Sequence, residues 1–235
     1  MNNTMKTVLA SALIAATGAA QAEVSANIAA VSDYIFRGVS QTSKAAVQGG
    51  LDFSDESGLY AGTWMSNVNF GGGQEVDLYA GFGAEANGIG YDVNVLYYWY
   101  PDSGGDQTGS ELDYAEVTGG LSFGPASVSV SYTIWGETNS GPFEDGDLYY
   151  KAGVDLPVGD ALGNGLSSNV FVGYYDFNDT SGDAASYLHW GASVAKDAGD
   201  FGSVSVNYEQ TDGDKNQPVA TADGPKIWIG WSKEF

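Results

Sequence analysis

Alternation of apolar and polar residues, repeated along most of the chain, is the feature that most limits what this sequence can fold into. In residues 127–134, valine, tyrosine and isoleucine alternate with serine and threonine. Similar segments lie at 75–84, 91–100, 147–156 and 203–209, and the apolar face of each carries no charged residue. Successive side chains of a β-strand point to opposite faces, so a period of two predicts half-buried strands.

Twelve segments of this kind can be marked along the chain, and none shows sustained helical periodicity. They are 24–37, 46–54, 59–66, 74–85, 89–100, 111–123, 126–134, 147–156, 168–177, 187–195, 201–211 and 226–235. Most are long enough for a tilted strand to cross a bilayer, which takes about 9–11 residues. The even number of strands also suits a closed antiparallel barrel.

Residues 1–22 have the three parts of a secretory signal peptide. Lys6 supplies the positive charge, residues 8–16 the short apolar stretch, and Ala20-Gln21-Ala22 the small-residue cleavage site. We expect this leader to be removed, which leaves residues 23–235 as the exported domain. Beyond the leader the longest apolar run is 95–100, far short of the roughly 20 residues that a membrane helix needs. The exported chain is therefore either a soluble β-protein or a transmembrane β-barrel.

Loop lengths and aromatic positions favour the barrel over a soluble β-sandwich, which would also show alternation. Short turns such as Asn87-Gly88 and Gly124-Pro125 alternate with longer loops, as do the periplasmic turns and extracellular loops of outer-membrane barrels. The connection 157–167 is an exception that this rule does not explain. Aromatic residues lie near both ends of the apolar faces, as in an interfacial girdle; they are Phe82, Tyr91, Trp99, Phe123, Tyr132 and Trp190. The sequence thus predicts an all-β, antiparallel transmembrane barrel of twelve strands, within a range of ten to fourteen.

The chain ends on Phe235, with Trp231, Ile229 and Ile227 on the same face. This arrangement resembles the C-terminal assembly signal of outer-membrane proteins, although Lys233 departs from the pattern. We therefore expect the barrel-assembly machinery to recognise Phe235, and outer-membrane lipid and lipopolysaccharide to surround the folded barrel.

Composition argues against several functional classes. The net charge is −22 with 8 basic residues, which is unsuited to nucleic acid, and the chain has no cysteine and one histidine. His189 is the only candidate base of its type, and no Gly-x-Ser-x-Gly motif is present. A partial calcium-loop pattern begins at Asp212, but Gln217 stands where such a loop needs glycine. We expect no catalytic residue, no metal site and no cofactor.

The polar face of the strands would line the barrel interior. The predicted lining residues are Asp33, Arg37, Asp52, Asp77, Asp92, Glu116, Lys151, Asp155 and Glu209. An acidic lining lowers the energy of cations in a pore, so it predicts a cation preference. The same acids could instead hold a filled barrel together, and Arg37, the only arginine, could pair with a neighbouring acid such as Asp33 or Asp52.

Several stretches resemble the TorF-type porin family of proteobacteria. They are 32–41, 46–52, 77–81, 96–101, 113–117 and 172–176, in order along most of the exported chain. The resemblance implies an outer-membrane barrel and passive transport, without naming a substrate or a site. The function expected from the sequence is a narrow, cation-favouring channel for small solutes. A non-conducting barrel with a structural or surface-interaction role is the alternative.

Overall fold

The computed structural model describes residues 23–101, 112–137, 142–158, 165–178, 186–212 and 224–235. The predicted leader and most of the calcium-like loop lie outside this part of the chain. Alternating residues form antiparallel strands. The strands are β1 (Glu23–Val31), β2 (Ile35–Phe36), β3 (Val39–Ser40), β4 (Ala46–Ser54), β5 (Leu59–Asn67), β6 (Gln74–Ala86), β7 (Ile89–Trp99), β8 (Tyr114–Phe123), β9 (Ala126–Gly136), β10 (Leu148–Leu156), β11 (Leu166–Asp176), β12 (Tyr187–Asp197), β13 (Ser203–Thr211) and β14 (Lys226–Glu234). All except β2 and β3 have nine or more residues. Short 3₁₀ turns lie at Gly71–Gly73 and Gly199–Phe201.

Twelve of these strands form one closed barrel in which each strand pairs with its neighbours in the chain, apart from the pairing that closes it. Closure comes from β1 and β14, with Ala30 opposite Trp231 in antiparallel register. Two backbone hydrogen bonds between Ala26 and Phe235, of 3.2 and 2.8 Å, extend this pairing to the last residue. The predicted fold class and strand number are thus confirmed.

The barrel is apolar outside and polar inside. Exposed valine, leucine, isoleucine and aromatic side chains project from the outer faces, whereas most of the enclosed carboxylates lie on the inner faces. Tyr91, Trp99, Phe123 and Tyr132 of the predicted girdle are exposed on the outside. Among the described residues, no helix is long and apolar enough to cross a membrane.

Connections alternate between the two ends of the barrel, which we name the turn end and the loop end. The turn end carries both termini of the barrel and the tight turns, including Asn87-Gly88 with φ of 55° and 77°. Positive φ at both central residues gives a type I′ turn, whose twist matches that of the flanking strands. The loop end carries the other connections, including 32–45 and 137–147.

The first predicted segment, 24–37, is not one strand. Strand β1 ends at Val31, and β2 and β3 form a separate two-stranded hairpin. We call residues 32–45 the inserted hairpin, because its side chains contact the inner faces of strands around much of the barrel. The break between β1 and β2 lets the chain leave the wall and turn into the lumen.

Candidate functional site

The inserted hairpin turns at Arg37 and Gly38, which have φ of 47° and 85°. They are the two central residues of a hairpin in which Phe36 pairs with Val39. Such a turn favours asparagine or glycine at its first central position, since other residues are strained at positive φ. The backbone of Arg37 is therefore strained at this position of the turn, and the contacts of its side chain explain why arginine is present.

The Arg37 guanidinium forms a bidentate ion pair with the Glu116 carboxylate on β8. Nη1 donates to Oε1 at 2.8 Å and Nη2 donates to Oε2 at 2.6 Å. Both side chains are buried, with 8% and 2% of their surface exposed. Paired N–H groups matched to a carboxylate fix both position and orientation, so this contact locates the hairpin tip in the lumen.

Aromatic rings surround the guanidinium. Its central carbon lies 4.0 Å from the ring centroid of Tyr149 and 4.9 Å from that of Tyr175, on β10 and β11. The ring of Phe36, next to it in the hairpin, lies at 4.8 Å. Cations over aromatic faces are stabilised by the ring quadrupole, more strongly when water is excluded. The hairpin tip therefore contacts both β8 and the β10–β11 wall.

Other hydrogen bonds hold the hairpin along its length. The Tyr187 hydroxyl on β12 donates to the Arg37 carbonyl oxygen at 2.8 Å, and the Tyr34 hydroxyl donates to Glu75 on β6 at 3.2 Å. Asp33 accepts hydrogen bonds from Ser40 and Thr42, which tie the two arms of the hairpin together. Contacts to β6, β8 and β12 show that the hairpin spans the lumen.

The lumen is filled at the level of the hairpin tip. Tyr98 stacks on Tyr114 with 4.0 Å between ring centroids, and Tyr114 stacks on Phe143 at 4.5 Å. None of the interior rings of Tyr98, Tyr114, Tyr149, Tyr175 and Tyr187 is more than 6% exposed. A water-filled passage would expose these rings, so the loop-end half of the described barrel is closed in this conformation.

His189 lies in this filled layer as part of a hydrogen-bonded chain. Its Nδ1 is 2.5 Å from Glu209 Oε1, and its Nε2 is 2.8 Å from the Tyr149 hydroxyl. Gly38 packs directly against it, because a Cβ at residue 38 would lie 3.1 Å from the His189 Cβ. His189 thus contacts both the hairpin tip at Gly38 and Tyr149, whose ring lies against the Arg37 guanidinium.

The predicted lining residues fall into three groups. Arg37 and Asp33 lie on the inserted hairpin and not on β1, so their expected place at the end of the first strand is wrong. Glu116, Glu209 and Asp77 are enclosed in the loop-end half. Those nearer the turn end are Asp52, which accepts from Asn27 at 3.0 Å, Asp92, which accepts from Tyr60 at 2.9 and 3.1 Å, and Asp155, which accepts from Asn169 at 2.9 Å. Lys151 lies between the last two groups, near the middle of β10, and its ammonium is 5.0 Å from the Phe171 ring centroid.

Exposure differs between the two halves of the interior. Toward the turn end Asp155 is exposed and Asp52 and Asn94 are partly exposed, whereas Glu116 and His189 are each only 1% exposed. Tyr60 and Asp92, which also lie toward the turn end, are buried. Water therefore reaches part of the inner wall from the turn end and is excluded at the hairpin tip.

Sequence reasoning missed the residues that seat the hairpin. Glu75, Tyr175 and Tyr187 were not among the predicted lining residues, although each has the period-two position of an inward side chain. The Arg37-Gly38 pair was the available signal for a turn inside the predicted first strand.

Asp147 holds residues 142–147 at the same end of the barrel. Its carboxylate accepts backbone hydrogen bonds from Phe143 at 2.7 Å and Asn178 at 2.8 Å. Burial raises the pKa of Asp147 to about 6, and these hydrogen bonds only partly offset that effect. The contacts fix Phe143 above Tyr114, which completes the aromatic layer.

Metal and cofactor sites are not evident in the part of the chain that the structure describes. No group of three or more His, Cys, Asp or Glu side chains there is placed to hold a metal ion. The barrel interior is acidic and aromatic, and the inserted hairpin fills it at the loop end.

Solved structures provide one comparison. The chain is similar to one solved in a study of in-meso crystallization of membrane proteins, with a TM-score of 0.52, 12% identity and coverage of 90% of this chain and 83% of that one. It is also similar to the outer membrane protein OpdK of Pseudomonas aeruginosa, with a TM-score of 0.45, 11% identity and coverage of 83% of this chain and 59% of OpdK. For OccAB1 of Acinetobacter baumannii the TM-score is 0.46 and the identity 14%, with coverage of 82% and 58%. The chain thus spans less than two thirds of the length of OpdK and OccAB1.

The sequence itself gives a second comparison. No curated protein matches it. Residues 15–231 match the family described as "Bacterial protein of unknown function (Gcw_chp)". Because this match covers nearly the whole described barrel, the protein belongs to the Gcw_chp family.

Proposed function

We propose that the protein is an outer-membrane channel for passive diffusion of small solutes, closed in this conformation by the inserted hairpin. The observation that carries the proposal is a closed twelve-stranded barrel with an apolar outer face and an acidic inner face. A barrel leaves no strand edge unpaired, which is the condition for strands to cross hydrocarbon. On this proposal the turn end faces the periplasm and the loop end the cell surface.

The number of strands supports a passage through the barrel. Eight strands leave an interior just wide enough for side chains, and sixteen leave an aqueous channel, so twelve lie between these limits. In this chain a hairpin of 14 residues fills part of that space at the loop end. Movement of the hairpin would join the water-accessible turn end to the cell surface without changing any barrel strand.

The charge of the lining supports a preference for cations. Asp52 and Asp155 lie on the more open part of the inner wall, Asp92 is a buried acid of the same half, and Lys151 lies near the middle of β10. Fixed negative charges in a low-dielectric wall raise the local concentration of cations and lower that of anions. We therefore propose a channel that is cation-favouring and non-enzymatic.

The filled loop end favours a second candidate, a non-conducting barrel with a structural or surface-interaction role. The interior at Arg37 is packed as tightly as a protein core, with Tyr114 and Tyr175 each 1% exposed. A barrel that never opens would need no lumen and would act through its loops and its lipid contacts.

Single-channel recording in planar bilayers under a potassium chloride gradient tests both candidates. The wild type is compared with a variant in which residues 34–43 are replaced by a short glycine-serine turn. We expect discrete current steps with a cation-signed reversal potential, and larger steps in the variant. An anion-signed potential would retain the channel and reject the acidic lining. Silence in both proteins, with the barrel fold verified by circular dichroism, would favour the non-conducting barrel.

The remaining features of the proposal concern export and assembly. We propose that residues 1–22 direct export and are cleaved, and that Phe235 at the end of the closing strand pair engages the barrel-assembly machinery. Outer-membrane lipid and lipopolysaccharide would surround the apolar face. The resemblance to TorF-type porins agrees with this assignment.

A further inference from the structure

Two carboxylates on β6 lie side by side in the enclosed part of the lumen. Glu75 and Asp77 are two positions apart on the inner face, and 2% and 6% of their surfaces are exposed. Arg37, at the tip of the hairpin, is already paired with Glu116. Neither Glu75 nor Asp77 forms an ion pair within the described residues. A buried carboxylate without a partner is strongly unfavourable, so each member of the pair either binds a proton or pairs with a positive charge.

Asp77 also has an unused hydrogen-bond acceptor. Its Oδ1 is enclosed and has no hydrogen-bond donor among the described residues. By contrast, both carboxylate oxygens of Asp92, which also lies on the inner face, accept from the Tyr60 hydroxyl. Most buried acceptors in native proteins are paired, so the Asp77 oxygen points to a donor that comes from outside the chain.

Aromatic residues surround the pair. Trp64 on β5 and Tyr98 on β7 are the direct cross-strand neighbours of Asp77, and such neighbours have Cβ atoms about 4.5–5.5 Å apart. Tyr34 of the inserted hairpin donates to Glu75, and its ring lies edge-on to Trp64 with 5.4 Å between centroids. Aromatic faces attract organic cations, and carboxylates accept hydrogen bonds from an ammonium group.

The donor set is unsuited to a divalent metal. Calcium takes about six to eight oxygen ligands, whereas no described group of three or more acids or histidines is placed to hold a metal ion. An ammonium group instead needs two or three acceptors and a π-face, which is what the pair and its walls provide.

We propose that Glu75 and Asp77 form a binding site for a small primary ammonium cation at the loop end of the lumen, beneath Tyr34. The inference rests on the proposed channel function only in how the cation reaches the site. The cation would take the unused Oδ1 of Asp77 as acceptor and contact the rings of Trp64 and Tyr98.

Equilibrium binding to the purified protein in detergent micelles tests the site without requiring a current. The probe is methylammonium chloride, titrated by calorimetry and by tryptophan fluorescence, with sodium chloride adjusted to hold the ionic strength constant. We expect saturable binding to the wild type, and a loss of affinity of about 10-fold or more in Asp77→Asn, which removes the charge that assists the hydrogen bond. Glu75→Gln is a second variant with the same expected direction.

Asp92→Asn is the matched control, since it removes a buried inner-face carboxylate that already has donors. Its affinity for methylammonium should equal that of the wild type. Absence of saturable binding to the wild type, or equal affinity in Asp77→Asn and Glu75→Gln, would overturn the site. Displacement of methylammonium by equimolar sodium or calcium would overturn the ammonium class. Binding without any bilayer current would reject the channel and retain the site, whereas current without binding would do the reverse.

Discussion

Arg37 and Glu116 pair across the lumen of the barrel, through two parallel N–H···O contacts of 2.8 and 2.6 Å. Arg37 lies at the tip of a hairpin that follows β1, and Glu116 lies on β8, near the opposite side of the ring of strands. The pair therefore joins the inserted hairpin to the barrel wall. The contribution of this ion pair to stability can be measured without changing the backbone pairing of the barrel strands, because that pairing does not involve these side chains.

Removing one partner of this pair should cost much more than removing both. Arg37→Met leaves the Glu116 carboxylate buried without a cation, and Glu116→Gln leaves the guanidinium without a counter-ion. Breaking a buried ion pair costs about 3–5 kcal/mol, whereas replacing both partners is near neutral. We expect the double variant Arg37→Met/Glu116→Gln to be more stable than either single variant, measured by urea unfolding in micelles. Single-variant losses that simply add would show that the two side chains do not act as a pair.

Gly38 should tolerate no side chain, for two separable reasons. Its φ is 85°, and a Cβ there would lie 2.5 Å from Thr211 Cγ2 and 3.1 Å from the His189 Cβ. Gly88 provides the matched control, since its φ is 77° but a Cβ there meets nothing within 4 Å. Alanine at positive φ costs about 1 kcal/mol at both positions, and overpacking adds about 1–3 kcal/mol at Gly38 alone.

Heat modifiability on gels and urea unfolding measure this difference. Gly38→Ala should unfold at lower urea concentration than Gly88→Ala, and Thr211→Ser in the Gly38→Ala background should recover part of the loss, because it removes the clashing methyl group. Equal losses in the two alanine variants would mean that the hairpin tip is not packed against β12 and β13 in solution.

The barrel could be predicted from the sequence because period-two alternation reports directly on strands with one apolar face. Eleven of the twelve predicted segments correspond to single barrel strands with small shifts at their ends. The exception, 24–37, contains alternating residues that form the hairpin and not the wall. Alternation of apolar and polar residues occurs both in strands of the barrel wall and in the short strands of the inserted hairpin, so it does not distinguish the two.

The partners within the lumen could not be predicted in the same way. Pairing of Arg37 with a neighbouring acid such as Asp33 or Asp52 was one alternative that the sequence left open, and in the structure it pairs with Glu116, 79 positions further along the chain. Which inward residues meet depends on where the hairpin crosses the barrel, and this is set by three-dimensional packing. Alternation places Asp77 and Glu209 inside, but only the structure shows that one lacks a donor and the other binds His189.

Asp147 should make the folded protein less stable as pH rises. Burial raises its pKa in the folded protein to about 6, above the value of about 3.9 expected in the unfolded chain. The folded state therefore favours the protonated form, so the contribution of Asp147 to stability decreases from about pH 4 to about pH 6 and is constant above that range.

The measurement is urea unfolding in micelles between pH 4 and pH 7, for the wild type and for Asp147→Asn. The variant does not titrate at this position, and at pH 4 it should be about 1 kcal/mol less stable than the wild type, because its amide can accept only one of the two backbone hydrogen bonds well. The wild type should approach the variant as pH rises. Parallel pH profiles for the two proteins would contradict the raised pKa.

A charge placed on the outer face distinguishes a barrel that spans a membrane from one that does not. Val95 projects outward from the middle of β7, with 43% of its side chain exposed, and Val24 projects outward near the turn end of β1 with 71% exposed. In a bilayer, arginine costs about 2–4 kcal/mol at the midplane and about 0–1 kcal/mol near the interface. Val95→Arg should therefore destabilise the barrel in phosphatidylcholine vesicles far more than Val24→Arg, measured by reversible unfolding in guanidinium chloride. If the two substitutions have the same small effect in vesicles, the outer face does not contact hydrocarbon, and the protein is not a transmembrane barrel.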